Sequence, residues 1–222
     1  MFDDRFGLTD AVVDGYKNRT FRINKKLNHP LVTDISELIT GKDGRAYVTI
    51  TYSTGVKDDV YPKYQPGEVV AVAQNYSTAL SPLDWVNRLI YKDEIGWTNK
   101  MYVRADLMPH RIRFTGVKCE RLMNLSEIDC RKEGLINLNW RQYLRQDIDT
   151  YGPQPYIDHD VWTLPIFEES IQNAWAEQKP GEFVAKDAKT AFLVLCAKLG
   201  HKNPNKLSQE NPWGFAYDFE LI

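Results

Sequence analysis

The stretch that decides the fold class is WGFAYDFELI, residues 213–222. Large apolar side chains occupy every second position from Trp213 to Leu221, and most residues between them are small or charged. Because side chains alternate between the two faces of an extended chain, this two-residue period predicts a strand with one aromatic face. It is the clearest strand signal in the sequence.

Three more segments upstream have the same character. Residues 45–52 alternate, with Ala46, Val48 and Ile50 on one face, which predicts a half-buried strand. Residues 111–121 alternate with a change of phase near Gly116, as expected at a β-bulge. Residues 68–76 follow a Pro-Gly turn and form another strand-like run.

Short helical segments separate these strands. A first helix is expected to begin at Thr9 as N-cap and to stop at Gly15. A second begins with a capping box at Ser126 and Asp129. Apolar spacing predicts two further helices at 168–178 and 185–199, and residues 137–165, rich in Tyr, Asp and Pro, have no clear period. The pattern indicates one α+β domain over residues 1–222, with a mostly antiparallel, barrel-like sheet and flanking and inserted helices.

The composition is that of an ordinary globular protein. The chain has 222 residues, 43% hydrophobic and 26% charged, with a formal net charge of −2. No window is apolar enough to cross a bilayer, and the opening MFDDRFGLTD is unlike a secretory signal, so we expect a cytoplasmic protein that does not enter membranes. Three widely spaced cysteines suit reduced thiols that pack in the core.

Positive charge is concentrated in one place, GYKNRTFRINKK at residues 15–26, which carries five Lys or Arg side chains. If Arg19 to Asn24 is a strand, Phe21 and Ile23 point into the core, while Thr20 and Arg22 face outward together. Concentrated positive charge on a nearly neutral protein favours one anionic partner.

Lysine beside threonine also suggests chemistry. A threonine hydroxyl becomes a nucleophile when a neighbour accepts its proton, and lysine can do so only when neutral. Lys17 reaches Thr20 if the chain turns at Gly15, and nearby Arg19 and Arg22 with partial burial would lower its pKa. The alternative is a solvated basic strand edge that discourages edge-to-edge aggregation.

Glu133 is a second candidate. It falls at the C-terminal end of the predicted short helix, where the helix dipole disfavours an anion, and four residues after Asp129, a like charge. Both effects would raise its pKa, which is typical of carboxyls that transfer protons. The alternative is an exposed glutamate at a frayed helix end.

Four blocks resemble the ASCH superfamily in order: AVVDGYKNRTFR, KYQPGEVVAVAQNY, RFTGVKCERLMNLSEIDCRKEG and NPWGFAYDFELI. The resemblance implies a PUA-like β-barrel with a cleft for RNA or a nucleotide. Some small bacterial members remove the acetyl group of N4-acetylcytidine with a lysine base, a threonine nucleophile and a glutamate. In this sequence those roles correspond to Lys17, Thr20 and Glu133, and Arg22 would hold the substrate.

The sequence departs from the family at several points. Tyr16 stands where an arginine is common, and Gln74 where many ASCH domains have glutamate. The excess length lies around residues 77–100 and 137–206, which we interpret as insertions. The residues expected to contact a ligand are Tyr16, Arg19, Arg22, Gln74 and Tyr76.

Other chemistries find no support. The four histidines share no metal-ligand spacing with one another or with the cysteines, and there is no glycine-rich phosphate loop, so we expect neither a metal nor a cofactor. Two hypotheses remain. One is a binding module for RNA, a nucleotide or a nucleoside in a basic cleft; the other is an amidohydrolase that deacylates an N-acylated nucleoside such as N4-acetylcytidine.

Overall fold

A computed structural model of the protein describes residues 2, 6–80, 85–139, 160–163, 185, 187–200 and 203–222. The strands are β1 (Arg19–Ile23), β2 (Val32–Ile35), β3 (Ile39–Thr40), β4 (Ala46–Tyr52), β5 (Lys57–Val60), β6 (Val69–Ala71), β7 (Arg111–Arg121), β8 (Ile136–Asn139), β9 (Asp160–Thr163) and β10 (Trp213–Leu221). The α-helices are α1 (Leu8–Val13), α2 (Tyr76–Ala79), α3 (Trp85–Tyr91), α4 (Glu127–Arg131), α5 (Ala188–Lys198) and α6 (Pro204–Glu210). None of the helices in these residues is both long and apolar enough to span a membrane.

The main sheet is antiparallel, with strand order β1-β10-β7-β6, and it curls into a half-barrel. A second small sheet pairs β4 with β2, β3 and β5. The α+β class is therefore confirmed, and so is a curled, barrel-like antiparallel sheet. The two outer strands of the half-barrel, β1 and β6, lie on either side of its opening, and this opening holds the site described below.

The aromatic face predicted from the sequence is the core-facing side of β10. Phe215, Tyr217 and Phe219 are at most 4% exposed and pack with β4, β5 and β7. On the other side, Ala216 joins a second core cluster that includes much of α5. The small residues of β10 thus leave room for a helix, while the aromatic residues fill the half-barrel.

Two strand predictions differ in detail from the structure. The predicted bulge near Gly116 is confirmed, because the register with β10 shifts between Asp218, opposite Gly116, and Phe219, opposite Phe114. The predicted strand at 68–76 is wrong beyond Ala71: only residues 69–71 pair as a strand, and Asn75 caps α2. A side chain that accepts the N–H of Thr78 starts a helix there, which overrides the strand-like composition.

The helix-start prediction at Thr9 is wrong. The N-cap is Gly7, in the left-handed region with φ 62°, and it makes no side-chain cap. The Thr9 hydroxyl instead accepts a hydrogen bond from the Lys100 ammonium at 3.0 Å. The stop at Gly15 agrees with its φ of 81°, and the Ser126–Asp129 capping box is present as predicted.

Residues 137–165 are not wholly irregular. Where the structure describes this segment, β8 pairs with β9 in an antiparallel ladder, which corrects the prediction for its two ends. The helix predicted at 185–199 is confirmed as α5, and the one predicted at 168–178 lies outside the described residues.

Candidate functional site

A left-handed glycine brings Lys17 against Glu133. After α1, Gly15 turns the chain with φ 81°, and Lys17 then forms an isolated antiparallel bridge with Glu133. The carbonyl oxygen of Lys132 accepts two further backbone N–H groups, those of Asn18 at 3.0 Å and Arg19 at 3.1 Å. The end of α4 therefore lies along the free edge of β1, which fixes two residues 116 positions apart in contact.

The Lys17 ammonium has three oxygen neighbours. It donates to Glu133 Oε2 at 2.5 Å, to the Arg19 carbonyl at 2.7 Å and to the Glu133 carbonyl at 3.0 Å. An ammonium has three donors, so these contacts use all of them. The second carboxylate oxygen, Glu133 Oε1, accepts the backbone N–H of Phe21 at 2.5 Å.

Burial shifts the pKa of both partners toward their neutral forms. Lys17 and Glu133 are each 3% exposed. Burial lowers the pKa of Lys17, and the nearby charge of Arg22 lowers it further, while Glu133 opposes the shift. Burial raises the pKa of Glu133 against the opposing effects of Lys17 and of the Phe21 N–H. The difference between the two pKa values is therefore smaller than in an exposed pair, so a proton moves from Lys17 to Glu133 more easily. Shifted pKa values of this kind are typical of functional sites.

The rise predicted for Glu133 is confirmed in direction, but its cause is different. Helix α4 ends at Arg131, and the main effect on Glu133 is removal from water. The lower pKa expected for Lys17 likewise follows mainly from burial, with Arg22 contributing as predicted. The predicted direction is therefore right, but burial accounts for it rather than the helix dipole or Asp129.

A cavity of about 80 Å³ opens between the two outer strands. Thr20 and Arg22 line it from β1, and residues 70–73 line it from β6 and the chain that follows. Its aromatic wall contains Tyr64 stacked on Phe114, with ring centroids 4.4 Å apart. Phe2 forms another wall, and the Lys17 ammonium lies 5.8 Å from the centroid of that ring. The ion pair and the cavity therefore share Phe2 as a neighbour.

Thr20 and Arg22 share one face of β1, as the alternation predicts, but this face points into the half-barrel at Thr20. The threonine is only 7% exposed, whereas Arg22 is exposed. Among the described residues the Thr20 hydroxyl has no hydrogen-bond partner, and none of the three Lys17 donors is directed to it. The hydroxyl is therefore available to a ligand in the cavity.

Arg19 is directed away from the cavity. It is 1% exposed, and its guanidinium contacts three carboxylates. These are Glu120 at 2.7 Å, Asp129 at 2.8 Å and Asp218 at 3.1 Å. The side chain expected to grip a ligand instead joins β1, β7, β10 and α4 internally.

The other three predicted contact residues do not line the cavity. Tyr16 is 53% exposed to solvent. Tyr76 is buried, and its hydroxyl oxygen accepts the backbone N–H of Arg104 at 2.9 Å. Gln74 is also buried, and its Oε1 has no hydrogen-bond partner among the described residues.

Sequence reasoning missed Phe2, Tyr64 and Phe114. Phe114 has the burial pattern of a core residue in β7, and nothing in its spacing marks it as a cavity wall. Tyr64 lies between Pro62 and Pro66, a rigid irregular segment that offers a weak signal at most.

A larger cavity, of about 570 Å³, lies elsewhere between Ile23, Leu207 and Pro212. Its charged lining residues in the described part of the chain, Lys25 and Glu210, are both exposed. Lys17 and Glu133 line neither cavity, but the smaller one is lined by the predicted residues Thr20 and Arg22 and shares Phe2 with the ion pair, so it is the better candidate site.

Comparisons with known proteins add no assignment: no family model matches the chain, and no curated protein or solved structure matches it either. Within the residues that the structure describes, no group of three or more His, Cys, Asp or Glu side chains is placed to hold a metal ion.

Proposed function

We propose that the half-barrel cavity binds the base of a nucleotide or nucleoside. The observation that carries this proposal is the lining of the cavity, which combines aromatic rings, Tyr64 and Phe114, with two polar side chains, Thr20 and Arg22. Aromatic surfaces stack on planar bases, and a hydroxyl and a guanidinium hydrogen-bond to their edges. Of the five cations in residues 15–26, Lys17, Arg19 and Lys26 pair with carboxylates in the structure, and Arg22 is the one that lines the cavity, where its charge favours an anionic ligand such as a nucleotide.

The size of the cavity restricts the ligand. At about 80 Å³ it is much smaller than the roughly 300–1,000 Å³ of pockets that enclose a whole drug-sized ligand. Only one small group, such as a single ring or an acyl group, fits inside. The sugar and phosphate would remain outside, near the exposed Arg22.

The PUA-like fold and the ASCH resemblance belong to the same proposal. Their support is the half-barrel, together with the four sequence blocks, two of which contain Lys17 and Glu133. Under this proposal, the opening between β1 and β6 takes the place of the RNA or nucleotide cleft expected from that resemblance.

A second candidate function is hydrolysis of an N-acylated nucleoside such as N4-acetylcytidine. The buried contact between Lys17 and Glu133, at 2.5 Å, favours it, because the Lys17 ammonium lies over Phe2, which lines the same cavity as Thr20. In this reaction Lys17 first passes a proton to Glu133, and the neutral amine turns toward Thr20 and accepts the hydroxyl proton. The Thr20 oxygen then bonds to the acyl carbon, the C–N bond breaks, and Glu133 returns its proton to the leaving amine. Water hydrolyses the acyl ester and releases the carboxylic acid.

One set of variants tests both candidates. Thr20→Val keeps the shape of the side chain and removes the hydroxyl, and Thr20→Ser keeps the hydroxyl. Arg22→Gln removes a charge at the cavity, with Arg113→Gln as a control because Arg113 is exposed and pairs with Glu220 instead. Calorimetry would measure the affinity for cytidine, cytidine 5′-monophosphate and N4-acetylcytidine, and chromatography would follow release of cytidine.

For binding, we expect Arg22→Gln to weaken binding of the monophosphate by about tenfold or more and Arg113→Gln to leave it unchanged, since one charge-assisted hydrogen bond contributes about 1.5–3 kcal/mol. If none of the three compounds binds the wild type at millimolar concentration, the binding proposal fails. For hydrolysis, Thr20→Val should lose turnover at least about 100-fold while Thr20→Ser retains part of it. Equal turnover by Thr20→Val and wild type would contradict the nucleophile assignment.

A further inference from the structure

Aromatic rings and cations continue from the cavity across the neighbouring surface. Tyr64 lines the cavity, and the Lys63 ammonium lies 5.1 Å from the centroid of its ring. The Arg45 guanidinium lies 4.4 Å from the ring centroid of Tyr61, and the Tyr47 ring is 5.4 Å from that of Tyr61. We call these five residues, Arg45, Tyr47, Tyr61, Lys63 and Tyr64, the aromatic track. None of them belongs to the sites predicted from the sequence.

The two cations of the track differ from other exposed cations in their partners. Within the described part of the chain, no carboxylate pairs with Arg45 or Lys63. Other exposed cations do pair: Lys26 with Asp58, Arg104 with Asp106 and Arg113 with Glu220. The charges of the track are held beside aromatic rings and remain available to an external anion. A phosphate group is an anion of suitable geometry for both.

The backbone under the track is held in place. The side-chain amide of Gln65 accepts the N–H of Ala46 at 2.7 Å and donates to the Ala46 carbonyl at 3.2 Å. The Tyr217 hydroxyl accepts the N–H of Lys63 at 3.0 Å, and the ring of Pro62 fixes another backbone angle. A preformed surface loses less conformational entropy when it binds a ligand. The fixed backbone therefore favours a binding surface over a group of exposed side chains without a ligand.

We infer that the aromatic track binds single-stranded nucleic acid and that the base next to the track enters the cavity. This inference rests on the proposed function, because the cavity is the endpoint of the track. Unpaired bases stack on aromatic side chains and on guanidinium planes, while the cations contact the phosphates. A base within a duplex is already stacked and cannot reach the cavity without being extruded.

The geometry indicates a polymer because the track extends beyond what one nucleoside covers. Its aromatic rings and cations form two groups, Arg45 with Tyr47 and Tyr61, and Lys63 with Tyr64, and only the second group reaches the cavity. A base in the cavity contacts the group at Tyr64, so a neighbouring nucleotide of the same strand is needed to contact Tyr61 and Arg45, which do not line the cavity. The preferred ligand of the site is then a base within a strand, and a free nucleoside fills only one end of it.

Fluorescence anisotropy with a labelled single-stranded octanucleotide tests the inference. RNA and DNA of one sequence are compared, with the duplex and poly-glutamate as competitors, across a range of salt concentrations. The track variants are Tyr61→Ala, Arg45→Gln and Lys63→Gln. The controls are Tyr102→Ala, at an exposed tyrosine outside the track, and Arg113→Gln.

We expect Tyr61→Ala to weaken strand binding about fivefold or more, since stacking on one aromatic side chain has an effect of this size. Arg45→Gln and Lys63→Gln should each lower the salt slope by about 0.7, the value for one phosphate contact on a single strand. The two controls should bind as the wild type does. The RNA and DNA arms then show whether the sugar is distinguished.

Three results would overturn the inference: track variants that bind like the wild type, control variants that lose as much affinity as track variants, or duplex or poly-glutamate that binds as tightly as the single strand. Nucleoside binding separates this failure from failure of the cavity proposal. Tyr61→Ala should leave the affinity for cytidine unchanged. In the Arg22→Gln background, Tyr61→Ala should weaken strand binding by the same factor as in the wild type. If the strand binds through the track but no nucleoside binds, the cavity assignment alone is wrong.

Discussion

Replacing Lys17 with methionine removes the buried ammonium but keeps most of the side-chain volume. The Glu133 carboxylate, 3% exposed, then loses the ammonium that lies 2.5 Å away, and the carbonyls of Arg19 and Glu133 lose a donor. Removing one partner of a buried ion pair costs about 3–5 kcal/mol. We therefore expect Lys17→Met to reduce the free energy of unfolding by about that amount at pH 7.

Glu133→Gln and the double variant complete a thermodynamic cycle. Glutamine retains an oxygen that can accept the Phe21 N–H, and it removes the charge that Lys17 neutralises. The double variant leaves no buried charge at this position, so its loss should be smaller than the sum of the two single losses by about 2 kcal/mol or more. Urea denaturation measures each unfolding free energy, with an unchanged m-value as the check that the unfolded surface is comparable.

The pH dependence of Lys17→Met provides a second readout. Burial raises the pKa of Glu133, so the native state of this variant binds more protons than the unfolded state between the ordinary carboxyl value and the raised one. In that window stability falls as pH rises, and the deficit of Lys17→Met should therefore shrink when pH is lowered from 7 to 5. Additive losses within about 0.5 kcal/mol, or a deficit below about 1 kcal/mol at pH 7, would refute the buried ion pair.

Three further predictions concern the scaffold. Arg19→Met should lower the free energy of unfolding by about 3–5 kcal/mol, because three carboxylates then lose their buried cation. Arg19→Lys keeps a cation and should lower it less; equal losses for the two variants in urea denaturation would show that the charge does not matter there. Gly214→Ala should lower the melting temperature, because a Cβ would lie 2.5 Å from the Arg22 carbonyl oxygen; an unchanged melt would contradict this contact. Burial raises the pKa of the Cys119 and Cys130 thiols to about 12, so native protein at pH 8 should react with iodoacetamide roughly a thousandfold more slowly at these sites than unfolded protein, measured by mass spectrometry; similar rates would refute their burial.

The parts of the fold that follow from local patterns were predictable from the sequence. The alternation of β10 fixes its two faces because neighbouring side chains in a strand point in opposite directions. The Ser126 capping box is likewise a local interaction over three residues. Thr9 shows the limit of such rules, because the left-handed Gly7 begins α1 without a side-chain cap and Lys100 uses the threonine hydroxyl.

The site depended on contacts that no local pattern contains. Lys17 and Glu133 are 116 positions apart, and only the family resemblance brought them together before the structure did. Arg19 looked like a ligand contact because its three carboxylate partners come from distant segments. Tyr64 is positioned in the cavity wall by stacking on Phe114, which is another long-range contact.

The Lys17–Glu133 pair also has a structural reason to exist. In the described residues β1 is an edge strand, and its outward Phe21 N–H is satisfied by the Glu133 carboxylate where a neighbouring strand would otherwise supply a carbonyl. Closing an edge with a carboxylate buries a negative charge, and that charge requires Lys17 beside it.

Loss of activity in Lys17→Met alone would therefore not identify a catalytic lysine, because the variant also opens the sheet edge. Thr20 separates the two roles, since its hydroxyl has no hydrogen-bond partner among the described residues. We expect Thr20→Val to keep the urea midpoint of the wild type, with an unfolding free energy within about 0.5 kcal/mol. A loss of turnover or ligand affinity in that variant would then report on the cavity itself, whereas a loss of stability would place the hydroxyl in the scaffold and remove it from the site.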